Sequence, residues 1–408
     1  VFLWKKILKK PRSAASVDKR LYIAGNFTSA GTNNVNLYNI QNLAKYAPDG
    51  SVVTTFKNEI AGAVLCIEHQ SDGKVLIGGD FSAINGVTRN RIARLNADGT
   101  VDTSFTANIN TTVNAIKQLP DGKILVGGVF GTVNGSSTRP RLVRLNSDGT
   151  TDTTFAAITG INGAVTDIAF ASDGKILVSG SFTVPTSRVF RLNTDGTLDS
   201  SFTPPTIAST ANAVAVQSDG KVLLGGSFNL VDGVNYNRFI RLNTDGTIDA
   251  SFTPNVSAPV NDIAIQSDGK ILIAGEFDFI GPTPSLNRRK VARINIDGTP
   301  DTSFPNLNIN ASVITLYLRP DGKFIIGFNS ITDVGGQSRG RIAIINSDGS
   351  VGAQYIDIRI ASATVSVVSE NSSGEFFFGG TFLILGEGVS RNRILRIDSS
   401  GQLDLSYN

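Results

Sequence analysis

The sequence predicts an all-β fold, a β-propeller of four-stranded antiparallel blades, and three observations carry that expectation. An Asp-Gly-Lys turn followed by an apolar run recurs at Asp72, Asp121, Asp173, Asp219, Asp268 and Asp321, with successive spacings of 49, 52, 46, 49 and 53 residues. A second turn, Asp-Gly, runs in parallel at Asp49, Asp98, Asp148, Asp195, Asp245, Asp297 and Asp348. No stretch keeps a helical period through a whole unit, and each unit holds four short β-branched or apolar runs. Repeats of ~40–50 residues with four strands are the mark of a propeller blade. Degenerate copies at Asp18-Lys19-Arg20, Ser373-Gly374-Glu375 and Ser400-Gly401 bring the expected number of blades to eight, the first irregular. Seven blades plus an N-terminal extension is the alternative. Length alone suggests two or three domains, but one array makes residues 13–408 a single domain behind an arm, 1–12.

The second unit shows the elements in order. Strand a is Ala63–His69, and the turn Ser71-Asp72-Gly73 leads into strand b, Lys74–Phe81. Strand c is Arg91–Asn96, and the turn at Asp98-Gly99 leads into strand d, Thr100–Phe105. Glycine supplies the positive φ that a tight turn demands, and the aspartate before it can bond the turn's own backbone. An aromatic closes strand d in every unit, from Phe56, Phe105 and Phe155 to Tyr355 and Tyr407. Another closes strand b at Phe27, Phe81, Phe130, Phe182, Phe228, Phe277 and Phe382. A four-stranded meander cannot bury both faces alone, so these rings are expected between stacked units. The glycine pairs before the second series, such as Gly78-Gly79 and Gly127-Gly128, leave room for a neighbouring backbone or ring. Unit seven departs, with Phe328 at a glycine position and Ser330 at the aromatic one.

Composition narrows the function. One cysteine, Cys66, excludes an intramolecular disulfide framework and a cysteine-based zinc site. One histidine, His69, excludes multi-histidine metal sites and most histidine-dependent catalysis, and reads as structural. No apolar run reaches the ~18 residues of a helical membrane span. Residues 1–12 carry five cations and no acid, which leaves 32 basic against 34 acidic residues in the body. A nucleic-acid-binding body would carry a basic surplus, so no nucleic acid is expected as a partner.

The repeats resemble the delta-60 repeat family, whose units look like AVxxIAxQSDGKILIGGxF followed by RIARLNxDGTxDxSF. Here Ala213–Phe228 (AVAVQSDGKVLLGGSF) and Arg238–Phe252 (RFIRLNTDGTIDASF) follow that pattern nearly throughout, and the resemblance covers about residues 18–407. It implies a propeller scaffold of the kind found in bacterial surface or secreted proteins and in phage virion proteins, generally without a known catalytic site. A fold by itself names no ligand.

Alternation of strand direction puts the a–b and c–d turns on one face, here called face two. The b–c and d–a loops then share the opposite face one. Face two is uniform, while face one holds the loops of variable length, the usual place for recognition. Tyr38, Tyr236 and Phe279 set rings among polar Asn and Thr there, as a carbohydrate or protein surface requires. Arg89, Arg139, Arg339 and Arg391, with Arg288, precede strand c in the same loops and are the other candidate ligand contacts. A further series, Lys45, Arg94, Arg144, Arg191, Arg241, Arg293 and Arg396, lies on strand c and is interrupted by Ile344. It runs beside an acidic series, Asp102, Asp152, Asp199, Asp249, Asp301 and Asp404. Two parallel series of opposite charge favour bonds within and between blades over an anion-binding ring.

No catalytic or metal-binding constellation emerges. Asn96–Asp102 places oxygen side chains at alternate positions, but its glycine falls fourth and no bidentate glutamate follows, so it is not a calcium loop. Phosphate-loop, nucleophile-elbow and zinc-protease motifs are absent. No cofactor and no catalytic residue is therefore expected. The arm combines Phe2 and Trp4 with Lys5, Lys6, Lys9 and Lys10 and reads as a docking peptide or as a plain or blade-covering tail, with attachment to an anionic membrane surface the lesser option. The expectation is a non-enzymatic structural and interaction propeller, a phage virion component (tail or host-contact protein) docked by its arm to other subunits. The alternative is a secreted or cell-surface bacterial module that binds a glycan or protein.

Overall fold

The computed structural model describes residues 60–351 apart from a few turn and side-chain positions. It also describes the strand segments Leu21–Ala24, Ala30–Gly31, Leu37–Tyr38, Leu43–Tyr46, Val365–Glu370, Phe376–Gly386 and Val389–Ile397. All regular elements among the described residues are strands. Repeats two to eight each form an antiparallel ladder in the order a, b, c. In repeat three these strands are Val113–Gln118, Ile124–Gly128 and Leu142–Leu145, with Ile124 opposite both Gln118 and Leu145. In repeat one, Leu21–Ala24 pairs with Leu43–Tyr46 as b with c. The predicted strand a at Pro11–Val17 lies outside the described residues. The aspartate of each a–b turn accepts the backbone N–H two residues on: Asp121 Oδ1 lies 3.0 Å from Lys123 N, and Asp219 Oδ1 lies 3.1 Å from Lys221 N. Gly122 and Gly220 sit at φ 84° and 85° in these turns, where a Cβ would be strained.

Strand d differs from the expectation. It pairs with strand c through a single bridge in each of repeats two to seven, such as Leu145 with Thr151 and Leu242 with Ile248. The chain then turns at once, because Asp152 Oδ1 accepts both the backbone N–H (3.0 Å) and the hydroxyl (2.6 Å) of Thr154. An aspartate bonded this way offers the backbone an alternative to the ladder. The turn swings Phe155 into the layer between repeats, where it is 2% exposed.

The b–c loops also depart from free loops standing on face one. In repeat three the chain after Gly128 doubles back, so that Ile109 pairs with Val133 and Asn110 N donates to Thr132 O. The tip, Asn134-Gly135, reaches the c–d turn of its own repeat, where Asn134 Nδ2 donates to Gly149 O at 3.0 Å. Repeat five repeats the arrangement, with Ile207 paired to Val231 and Thr206 N donating to Asp232 Oδ1 at 2.7 Å. These excursions begin at face one and cover the flank of the blade.

Packing runs from repeat to repeat. Strands a of repeats two to seven lie side by side in sequence order, and strand b of repeat one approaches strand a of both repeat two and repeat eight. Each strand a bulges at its second residue in repeats three to six, and the bulged side chain reaches the next repeat. Asn114 Nδ2 donates to Val165 O (2.9 Å), Thr166 Oγ1 to Ala211 O (2.9 Å), Asn212 Nδ2 to Val260 O (3.3 Å) and Asn261 Nδ2 to Val313 O (3.0 Å). Strand b is buried on both sides. Ile124 and Val126 pack with repeat two, while Leu125 packs with repeat four. The strand-b rings Phe81, Phe130, Phe182, Phe228 and Phe277 are fully buried, as the aromatic periodicity predicts. The first glycine of each pair makes room for a valine rather than a ring: a Cβ on Gly127 would stand 2.5 Å from Val165 Cγ1, and one on Gly225 2.6 Å from Val260 Cγ1. Gly225→Ala is therefore expected to cost about 1–3 kcal/mol through overpacking. Denaturant unfolding should show this loss partly restored by Val260→Ala in the double variant.

Candidate interaction surface

The strand-c arginines and strand-d aspartates meet as the parallel charge series predicts, with a third partner that the sequence reading left out. Arg144 Nε donates to Asp152 Oδ2 at 2.6 Å, and Lys123, the lysine of the Asp-Gly-Lys turn, reaches the same oxygen at 2.8 Å. Arg144 also donates to Thr194 O in the next repeat at 2.6 Å, and its guanidinium lies 4.4 Å from the centre of the Phe155 ring. The ring packs on the next c–d turn, where a Cβ on Gly196 would stand 2.6 Å from Phe155 Cδ2. The same cluster forms around Asp102, Asp199, Asp249 and Asp301, each holding one lysine and one arginine. Burial pushes each of these carboxyls upward, but hydrogen bonds from the lysine, the Ser or Thr two residues on and the arginine outweigh it. All five therefore sit well below the ordinary carboxylate range. The cluster joins repeats, and its groups are engaged with one another.

Face one carries a basic series that the sequence reading passed over. The residue before strand c is a cation in the left-handed region in five successive repeats: Arg91 (67°), Arg141 (68°), Arg188 (68°), Arg238 (66°) and Lys290 (66°). A non-glycine residue in that region costs about 1–2 kcal/mol. The position closes a bulge between b and c, in which Arg141 N donates to Phe130 O and Gly128 N to Arg141 O. Arg91 pairs with Asp80 at 2.7 Å, and Lys290 with Asp278 at 3.0 Å. Arg188 and Arg238 bond instead to the carbonyls of Ser181 and Ser227.

The predicted contact residues do not gather into one site. Phe279 is exposed (44%), its backbone N–H bonded to Ser257 Oγ at 3.1 Å. Tyr236 is half-buried against the core between repeats four and five, the local packing that competes with a ligand role. Arg139 donates to the carbonyls of Phe155 and Thr153, and Arg89 to Thr88 O at 3.0 Å, so both guanidiniums cover backbone on the flank. Burial lowers the pKa of Arg288, which donates to Asn287 O and Thr302 O. Tyr38 and Arg339 lie on short strands opposite Ala30 and Thr332, Arg391 lies on the longer strand Val389–Ile397 opposite Ile384, and the side chains of all three fall outside the described residues. The arm residues Phe2, Trp4, Lys5, Lys6, Lys9 and Lys10 lie outside the described residues as well. A signal for the doubled-back excursions was present in their Asn-Gly and Asp-Gly tips at Asn85, Asn134 and Asp232.

Along strands a, Glu68 faces Lys117 of the next repeat at 3.6 Å and accepts Gln118 N–H at 3.1 Å. Burial pushes the Glu68 carboxyl upward against the pull of Lys117. Asp262 Oδ2 accepts Leu316 N–H at 3.0 Å, another bond between repeats. Cys66 is buried, which drives its thiol pKa up and keeps it from acting as a thiolate. The side chain of His69 falls outside the described residues. Among the described residues no three His, Cys, Asp or Glu side chains gather as metal ligands would.

The lock sets two expectations. Asp249→Ala leaves Arg241 and Lys221 without their carboxylate and should cost about 3–5 kcal/mol. The pair Arg241→Ile with Asp249→Gly, which copies Ile344 and Gly352 of repeat seven, should cost less than Asp249→Gly alone in chemical denaturation. Because the five lock aspartates have lowered pKa values, their stabilisation is complete above the unfolded value of ~3.9. It is lost as pH falls from there toward the folded values, so the melting temperature should hold down to about pH 5 and drop below about pH 4.

Comparison with known proteins places the fold. Segments 70–105, 119–155, 171–202, 217–252, 266–304 and 372–407 match the domain of unknown function (DUF5122) beta-propeller, and 153–183 matches the WD domain, G-beta repeat. No curated protein sequence matches the chain. Among solved structures, a streptogramin B lyase is similar at 15% identity over 78% of this chain and 89% of its own, with a TM-score of 0.43. Virginiamycin B lyase from Staphylococcus aureus is similar at 14% identity over 80% and 95%, with a TM-score of 0.45. The C-terminal WD40 domain of Sif2 is similar at 10% identity over 92% and 96%, also with a TM-score of 0.45. The six matched segments make up more than half of the 408 residues, and the chain belongs to the DUF5122 beta-propeller family.

Proposed function

We propose that the chain is an eight-bladed propeller, closed on itself, that serves as a non-catalytic recognition scaffold in an assembly outside the cell. The observation that carries this reading is the contrast between a lock repeated in five successive units and b–c excursions that vary in sequence from unit to unit. A scaffold of fixed geometry presenting variable segments is the arrangement that recognition uses. The approach of repeat one's strand b to strand a of both repeats two and eight supports closure. Each of the five lock carboxylates is engaged with two cations, which supports a structural role for that charge series.

The finer reading is a phage virion component, a tail or host-contact protein held to other subunits by residues 1–12. It rests on the delta-60 resemblance and on the arm's mixture of Phe2, Trp4 and five cations. A secreted or cell-surface bacterial module is the second reading. It is favoured by the exposed Phe279 ring beside Ser257 and Asn287, a setting suited to a sugar face. Deletion of residues 1–12 should leave the melting temperature unchanged and abolish incorporation into the particle; normal incorporation would defeat the docking reading. On a glycan array, Phe279→Ala should remove binding if the second reading holds, and Tyr236→Ala should weaken it less.

A further inference from the structure

The two faces of the array carry opposite net charge in repeats three to five. On face two every a–b and c–d turn in repeats two to seven places one aspartate, and those described are exposed. Asp148, Asp195 and Asp245 accept the hydroxyl and N–H of the Thr two residues on, which holds their carboxyls below the ordinary range and keeps them ionised. Each repeat sets one turn lysine against its two turn aspartates, and in repeats two to six the remaining lock pair, Arg with Asp, is neutral. The face therefore keeps about one net negative charge in each of repeats two to six, while in repeat seven Arg319 offsets Asp321.

Face one is the reverse, and repeats three to five stand out on it. The left-handed cations of repeats two and six are neutralised by Asp80 and Asp278. In repeats three to five the residue matching Asp80 is Val129, Ser181 or Ser227. Arg188 and Arg238 accordingly bond to neutral carbonyls, which leave the cationic charge whole. Among the described residues no carboxylate lies within ion-pair distance of Arg141, Arg188 or Arg238. Val129 (40%) and Val184 (41%) are exposed in the same sector.

We propose that this sector of face one docks the aspartate-bearing face two of a second copy of the chain, so that copies stack head to tail. Charge complementarity picks this occupant, because the acidic surface has the same repeat spacing as the cations it would meet. A register that suits one repeat then suits its neighbours. Such a contact is heterologous, so each copy keeps one unused face and growth does not close. The proposal requires repeats two to seven only and is independent of the particle in which the chain works.

Sedimentation of the full chain tests it. Association should rise with concentration at about 0.01 M salt and revert to monomer at about 1 M, where the screening length falls from ~30 to ~3 Å. A face-one variant, Arg141→Asn with Arg188→Asn and Arg238→Asn, keeps a residue tolerant of the left-handed region. A face-two variant, Asp148→Asn with Asp195→Asn and Asp245→Asn, keeps the turn's acceptor oxygen. Each alone should associate at least about tenfold more weakly than the parent. Mixed, they should form a 1:1 dimer that grows no further, since each supplies the face the other lacks. A parent chain that stays monomeric at low salt overturns the proposal, including one that instead binds a heparin column. So does association by the face-two variant alone, which would mean a symmetric or arm-mediated contact. Equal melting temperatures of parent and variants exclude misfolding as the cause, and if a variant fails to fold, the salt dependence of the parent still decides.

Discussion

The structure depends on one guanidinium in each of repeats two to six, held on three sides at once. Its Nε bonds the strand-d aspartate, its plane covers the ring that closes strand d, and a terminal N–H crosses to a carbonyl in the next c–d turn. Lysine would serve only the first of these, because a compact ammonium has neither the fork nor the flat face. The paired aspartate does double service, with one oxygen for the cations and the other for the backbone turn that ends strand d. The lock therefore fixes where strand d stops, where its ring goes and how the following repeat is placed.

Repeat seven shows that the lock is a unit. It has Ile344 in place of arginine, Gly352 in place of aspartate, and a c–d bridge between Ile345 and Val351 that forms regardless. Removing one charge alone would strand the others in a buried site, so loss of both is the tolerable change. Ile344 is buried at 3% exposure, filling with hydrocarbon what the guanidinium occupies elsewhere. The bonds from strand a to the next repeat follow the same pattern, since Ile314 stands where Asn261 and Asn212 reach across.

Periodic features were legible in the sequence because each recurs with a fixed chemical reason. Turn aspartates and glycines, buried rings and the Arg–Asp pairing all repeat at one spacing, so chance is excluded by the register alone. The length of strand d was not legible, because Thr-x-Asp-x-Ser-Phe has strand-like composition while the aspartate's bond to the following Ser or Thr turns the chain. The lysine of the Asp-Gly-Lys turn joins an aspartate 24 to 31 residues further on, a partnership no local pattern announces. The contact residues expected on face one scattered for a related reason. Arg139 and Tyr236 lie on excursions that fold back, and folding back turned open loops into a wall with its own packing.

Because each guanidinium reaches only one neighbour, cohesion passes along the array link by link, as in a chain of clasps. The clasp that would grip the eighth repeat is missing where Ile344 stands. Among repeats two to seven, the seventh alone lacks this arginine, which makes its junction with the eighth the natural place for the array to unfasten first.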